Sequence, residues 1–289
     1  MLTEGINFIK TSDIELPVFY STGKNKSNTL WILFSAGGPR RTSKYFYPLF
    51  DRISWAKHKF PGPCLIFEDP SYYYNIGIQD GWYLGNKNQP YYKIIADFIS
   101  SFIKDLSLSN KSLRFFGSST GGTAALLVSS LFPNSICIAN NPQVDISIWP
   151  TYYAACTILK RYNLQDFNIK IKELLQNKSN NIFISFNIGS ELDKQQAQQL
   201  FSYLKKNNQI KEGVTKLDNK FIWIYDIKTE INNPHNVLPL FGMLIPIESL
   251  FFYDFYEINF KIIEILFSSY KDLMLDYYQL NDKLLLSKK

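Results

Sequence analysis

Two histidines, three cysteines and three methionines in 289 residues leave this chain short of the side chains that hold metals. His58 and His235 stand far apart, and Cys64, Cys137 and Cys156 form no closely spaced pair, so no zinc site is expected. Three cysteines also make no disulfide framework. Cys64 and Cys137 fall inside apolar runs, where reduced, structural thiols are expected. Charge is sparse as well: 19% of residues are charged and the net +6 is spread over many lysines without a dense basic block, which argues against nucleic acid as a partner. The most apolar C-terminal stretch, 237–252, is interrupted by Pro239, Pro246 and Glu248, so it does not read as a membrane span. Met1 to Asn7 lacks the basic region and apolar core of a secretory signal, and a cytoplasmic location is expected.

What the chain does have is a series of short apolar runs separated by helical segments. Leu30 to Phe34, Cys64 to Phe67, Leu113 to Phe116, Ile136 to Ala139, Ile182 to Phe186 and Phe221 to Tyr225 each read as a strand buried on both faces. Helices such as Tyr91 to Leu106 and Lys194 to Lys206 would cover them, giving an α/β fold with a mostly parallel sheet between helices on both faces. A hairpin from about Asn7 to Tyr20 would extend one edge. With no Pro/Gly/Ser-rich linker, residues 1–289 are expected to form a single domain, with 249–289 as a helical C-terminal extension that covers the core or serves a homodimer.

The third run leads into Gly117-Ser118-Ser119-Thr120-Gly121-Gly122 and then an apolar helix. A serine framed by glycines at a strand-to-helix bend is a nucleophile elbow, and only Ser119 fits the G-x-S-x-G frame, because Phe116 stands two residues before Ser118. In parallel sheets, reactive groups collect beyond the carboxyl ends of the strands. After the fifth run come Glu191 and Asp193, and after the sixth comes His235, so the chain order is serine, acid, histidine. His58 precedes the second run in a polar stretch and is expected at the surface. Asp193 is preferred as the acid, with Glu191 as the alternative and Asp226 as a more distant one. The oxyanion donors expected are the N–H of Thr120 and one from the loop at Ala36 and Gly37. Arg40 and Arg41, just past that loop, could receive a carboxylate or phosphate, and with Gln143 make up the candidate substrate-binding set. Tyr72, Tyr73, Tyr74, Trp82, Tyr83, Tyr91 and Tyr92 offer faces for sugar rings or, equally, packing surface.

Phe34-Ser35-Ala36, the elbow and Asn140-Asn141-Pro142-Gln143 together resemble a branch of α/β-hydrolase-fold proteins associated with bacterial surface polysaccharides. The branch comprises capsule O-acetyltransferases and, more distantly, the acetyltransferase-like component of accessory Sec systems. The resemblance covers about residues 30–240. It implies an α/β-hydrolase fold and transfer of acetyl from acetyl-CoA, with no resident cofactor, to a hydroxyl of a glycan or sugar acceptor. Ser119 would carry the acetyl group, His235 act as base and Asp193 orient it. Peripheral association with a membrane glycan-synthesis complex would suit such a role. A serine esterase or deacetylase acting on a carbohydrate ester would use the same residues, and a non-catalytic scaffold in a glycan assembly complex would use the fold alone.

Overall fold

Each apolar run becomes a strand because side chains on both of its faces find cover. The structure, a computed structural model, describes residues 2–11, 14–23, 27–37, 48–60, 62–74, 78–85, 89–159, 171, 173, 175, 176, 179–205, 210–229, 235, 244, 247 and 260–286. The strands are β1 (Gly5–Lys10), β2 (Glu15–Ser21), β3 (Leu30–Phe34), β4 (Cys64–Phe67), β5 (Leu113–Ser118), β6 (Ile136–Asn140), β7 (Asn181–Asn187), β8 (Gly213–Leu217) and β9 (Lys220–Tyr225). The helices are α1 (Ile53–His58), α2 (Ser71–Tyr74), α3 (Tyr91–Asp105), α4 (Thr120–Ser129), α5 (Tyr152–Ile158), α6 (Glu191–Lys205) and α7 (Phe260–Leu286).

Among the described residues, nine strands join one sheet in the order β1-β2-β4-β3-β5-β6-β7-β9-β8. The six central strands are parallel, from β4 across to β9, while β1, β2 and β8 pair antiparallel at the two edges. The N-terminal hairpin expected from sequence is β1–β2, in register from Gly5 opposite Tyr20 to Lys10 opposite Glu15. Strand β8 was not legible as an apolar run, since Val214 is its one buried residue; it exists by pairing back on β9 across a two-residue turn at Asp218 and Asn219.

Alternation within each strand divides the interior into two layers. Leu30, Ile32 and Phe34 enter one cluster with Ile95, Ile99 and Ala96 of α3, Ala124 to Val128 of α4, and Ala197, Leu200 and Phe201 of α6. Trp31 and Leu33 enter the other, with Ala56 of α1 and Phe267 and Met274 of α7. Helices therefore lie on both faces of the sheet. Helix α4 is buried all round, wedged beside β5, β6 and β3. All three cysteines are buried and outside any disulfide, and burial pushes the Cys137 thiol up to about 12, well clear of thiolate chemistry at neutral pH.

The C-terminal helix α7 is tied to the sheet by Phe267, 1% exposed, whose ring stacks on Phe183 with centroids 5.6 Å apart and meets Trp223 edge-on at 5.0 Å. Deleting that ring opens a cavity against two aromatic neighbours. Phe267→Ala is expected to cost about 3–5 kcal/mol in urea unfolding. Leu273→Ala on the same helix, at a site 53% exposed, should change stability by less than ~0.5 kcal/mol. Equal small losses from both would show that α7 contributes little to the core.

Candidate active site

Where parallel strands end, their backbone groups lose ladder partners, and here the loops leaving β5, β7 and β9 converge on three side chains. Strand β5 turns into α4 at Ser119, whose backbone adopts φ 54 and ψ −127. A non-glycine residue in such a region costs about 1–3 kcal/mol and needs its surroundings to hold it. The Ser119 N–H donates to Asn140 O at the end of β6 (2.9 Å), and Ser119 O accepts the Thr123 N–H (3.0 Å). A Cβ at Gly117 would collide with Gly121 O, and one at Gly121 with Phe34 O, so the bend closes only with glycine at both positions.

His235 Nε2 lies 2.8 Å from Ser119 Oγ, and His235 Nδ1 lies 2.7 Å from Asp193 Oδ1. The three side chains form one row. An imidazole protonated at Nδ1 donates to Asp193 and offers its Nε2 lone pair to the serine hydroxyl. Asp193 sits in the first turn of α6 with no exposed surface, whereas Glu191, one residue into the same helix, pairs with Lys194 at 3.6 Å with its side chain 70% exposed. The structure thus joins Asp193 to His235 and leaves Glu191 in solvent. Asp226 lies beside Gly189. His58 is exposed at the end of α1.

Burial pushes the Asp193 carboxyl above the ordinary carboxylate range, opposed by its hydrogen bond to His235, the charge of that imidazole and a hydrogen bond from Ser190. Asp80 is raised for the same reason, with hydrogen bonds from Thr151 (2.6 Å) and Trp149 and the charge of His235 pulling the other way. The Trp149 ring packs against His235 with centroids 5.0 Å apart. Neither Asp80 nor Trp149 follows a strand directly, so no sequence signal marked them.

Three buried asparagines at strand ends hold the loops. Asn140 Oδ1 accepts from Ser185 Oγ (2.6 Å) and from Tyr225 OH (3.2 Å). Asn141 donates from Nδ2 to His235 O (2.9 Å) and accepts the Asn187 N–H at its Oδ1 (2.8 Å). Asn187 in turn accepts the Ile227 N–H and donates to Ile227 O, both within 2.8 Å. Under the elbow, Arg52 donates to Ser118 Oγ and lies 5.0 Å from the Phe116 ring centroid.

The Ala36 N–H donates to Asp51 Oδ2 at 2.9 Å, while Gly37 lies against Thr120, Tyr72 and Asp80 in space a Cβ would fill. Thr120 is buried at the start of α4, where the first N–H groups have no helical acceptor. Gln143 is fully buried, with its amide nitrogen 3.2 Å from Ser119 Oγ. Arg40 and Arg41 lie outside the described residues. Of the aromatic set, Trp82, Tyr83, Tyr91 and Tyr92 are buried as packing surface, and Tyr73 is 48% exposed.

No family model and no curated protein matches the sequence. Solved structures do. The Glycosylation Associate Protein (Gap123) complex of Streptococcus agalactiae aligns with TM-score 0.56 at 16% identity over 77% of this chain, which spans 42% of that one. The capsule O-acetyltransferase of Neisseria meningitidis serogroup A aligns with TM-score 0.54 at 18% identity, over 85% of this chain and 92% of that one. A form of it in complex with CoA gives 0.52 at 19% identity, over 80% and 89%. A 2,6-dihydroxy-pseudo-oxynicotine hydrolase gives 0.54 at 12% identity, over 86% and 68%. This chain has the α/β-hydrolase fold. Ser119 follows the central strand β5, Asp193 comes after β7 and His235 after β9. Among the described residues, no helix is long and apolar enough to cross a membrane.

A carboxyl raised by burial favours folding while it is protonated, and that contribution is lost as pH rises through its folded value. At pH 8 the ionised, buried Asp193 therefore weighs against stability. Asp193→Asn is expected to leave the melting temperature unchanged or higher at pH 8, with the difference shrinking towards acid pH. A fall of more than ~4 °C at pH 8 would mean that pairing with His235 outweighs desolvation.

Proposed function

We propose that this α/β-hydrolase-fold chain is a serine acyltransferase that moves acetyl from acetyl-CoA to a hydroxyl of a bacterial surface glycan or its sugar precursor. The observation that carries the reading is the row Asp193–His235–Ser119, with 2.7 and 2.8 Å between successive partners. His235 takes the Ser119 proton as Oγ attacks the acyl carbon, and the oxyanion rests on the N–H of Thr120 and that of Gly37, since Ala36 donates to Asp51. His235 returns the proton to the departing thiolate. In the second half-reaction it takes the proton of the acceptor hydroxyl, whose oxygen attacks the acyl-serine, and returns it to Ser119 Oγ as the ester passes on. Asp193 orients the imidazole and stabilises its charged form.

The acetyl-CoA and glycan parts of the reading draw support from the structural likeness to the capsule O-acetyltransferase, which has been captured with CoA. The likeness to a glycosylation-associated complex suits work beside other proteins of glycan assembly in the cytoplasm, where acetyl-CoA is at hand. Arg40 and Arg41 are proposed for the phosphates of the donor. An esterase would use the same row with water as the acceptor, and the likeness to a hydrolase favours it as the second reading.

Incubation with acetyl-CoA followed by intact-mass measurement tests both. The wild-type protein is expected to gain one acetyl group, and Ser119→Ala none. His235→Ala should slow acylation by ~10³-fold or more. Acetate release at full rate without any sugar acceptor would favour the esterase. An unaltered Ser119→Ala would overturn the acyl-serine mechanism.

A further inference from the structure

Ser119 Oγ has a second polar neighbour besides His235. The side-chain amide nitrogen of Gln143 lies 3.2 Å from it. In an amide the oxygen and nitrogen ends are fixed by what surrounds them, and here both ends are surrounded. Gln143 Oε1 faces the indole N–H of Trp82 at 3.2 Å, a group that can only donate. Gln143 Nε2 faces the carbonyl of Asn141 at 3.4 Å, which can only accept. Turning the amide over would set oxygen against carbonyl and N–H against N–H, on a side chain with no exposed surface. The second Nε2 hydrogen is therefore left for Ser119 Oγ.

The supports of this amide are themselves rigid. Gln143 N–H donates to Thr123 Oγ1 (2.9 Å) in the first turn of α4. Trp82 is fully buried with φ 48, in a loop whose next residue, Tyr83, donates its N–H to Asp69 Oδ2 (2.8 Å). Tyr83 is held again through its hydroxyl on Ser35 O and Phe67 O, both at 3.0 Å. Strands β3, β4 and β6 thus all contribute to the direction of one N–H.

We propose that Gln143 is a fourth catalytic side chain, whose amide N–H donates to Ser119 Oγ and stabilises negative charge on that oxygen, and that Trp82 is the positioning residue that fixes the amide's direction. The inference rests on the reading of Ser119 as nucleophile. In the free enzyme the N–H occupies one lone pair of Oγ, so the hydroxyl proton points to His235 Nε2. As that proton moves to His235 and Oγ bonds to the acyl carbon, the donor offsets the charge gathering on Oγ. In the transfer step the C–Oγ bond breaks, the electron pair returns to Oγ, His235 supplies the proton, and the same N–H makes Oγ a better leaving group. A donor on the nucleophile itself serves both half-reactions, whereas the Thr120 and Gly37 donors serve the carbonyl oxygen.

A fluorophosphonate probe reads the reactivity of Oγ without any acceptor or CoA. Wild-type protein is expected to be labelled at Ser119. Gln143→Met, close in shape but without the donor, should be labelled ~100-fold more slowly. Gln143→Glu, which sets a carboxylate against Oγ, should be slower still, and Trp82→Phe ~10-fold slower than wild type, each with a native far-ultraviolet circular dichroism spectrum and a cooperative thermal unfolding transition. Trp82→Phe added to Gln143→Met should have almost no further effect, because there is no amide left to orient. Labelling of both Gln143 variants at the wild-type rate overturns the role of Gln143 and leaves Ser119 as nucleophile. A fully additive Trp82→Phe effect overturns the positioning role. No labelling of the wild-type protein removes the nucleophile, and the inference with it.

Discussion

The structure turns on the backbone of Ser119, held at φ 54 between a strand and a helix that nearly touch. That conformation is unfavourable in isolation, and it persists because the two chains on either side leave it no alternative. Gly117 lies against Gly121, Gly121 against the end of β3, and Gly122 so near the end of β6 that a Cβ would stand 3.1 Å from Asn140 O. Once α4 is packed in that groove, the serine side chain can only stand out beyond the strand ends. The burial of Ala124 to Val128 of α4 supplies the driving force, and the glycines supply the space.

A second constraint is the need to satisfy polar backbone where strands end inside the protein. Asn140, Asn141 and Asn187 meet it with side chains that both donate and accept, and each bond ties one loop to the next. The His235 carbonyl is held by Asn141, whose neighbour Asn140 receives the Ser119 N–H. Histidine and serine are therefore positioned by adjacent residues of one strand end. Their separation is set by the sheet more than by the loops that carry them.

The same geometry concentrates groups that oppose folding. Asp193 is buried with one oxygen, Oδ2, lacking a hydrogen-bond partner among the described residues, and burial raises the carboxyls of both Asp193 and Asp80. A carboxylate buried beside an imidazole interacts with it more strongly than the same pair would in water. The large two-layer core offsets that local loss.

By itself the sequence determined the six parallel strands, because a strand covered on both faces must be a continuous apolar run, and it determined the serine at the elbow, because only glycines permit that bend. It also marked the edge hairpin. Strand β8, with a single buried residue, left no pattern, and its place follows only from pairing with β9. The sequence favoured Asp193 over Glu191 only by its spacing past Gly189. Only the tertiary structure shows their surroundings: the first turn of α6 carries Asp193 inward to His235 and Glu191 out to Lys194, a difference of direction around one helix. Trp149 over His235, Asp80 beside Gly37 and the orientation of the Gln143 amide were likewise invisible in sequence. Each depends on residues distant along the chain meeting at a strand end, and residue spacing carries no record of such a meeting.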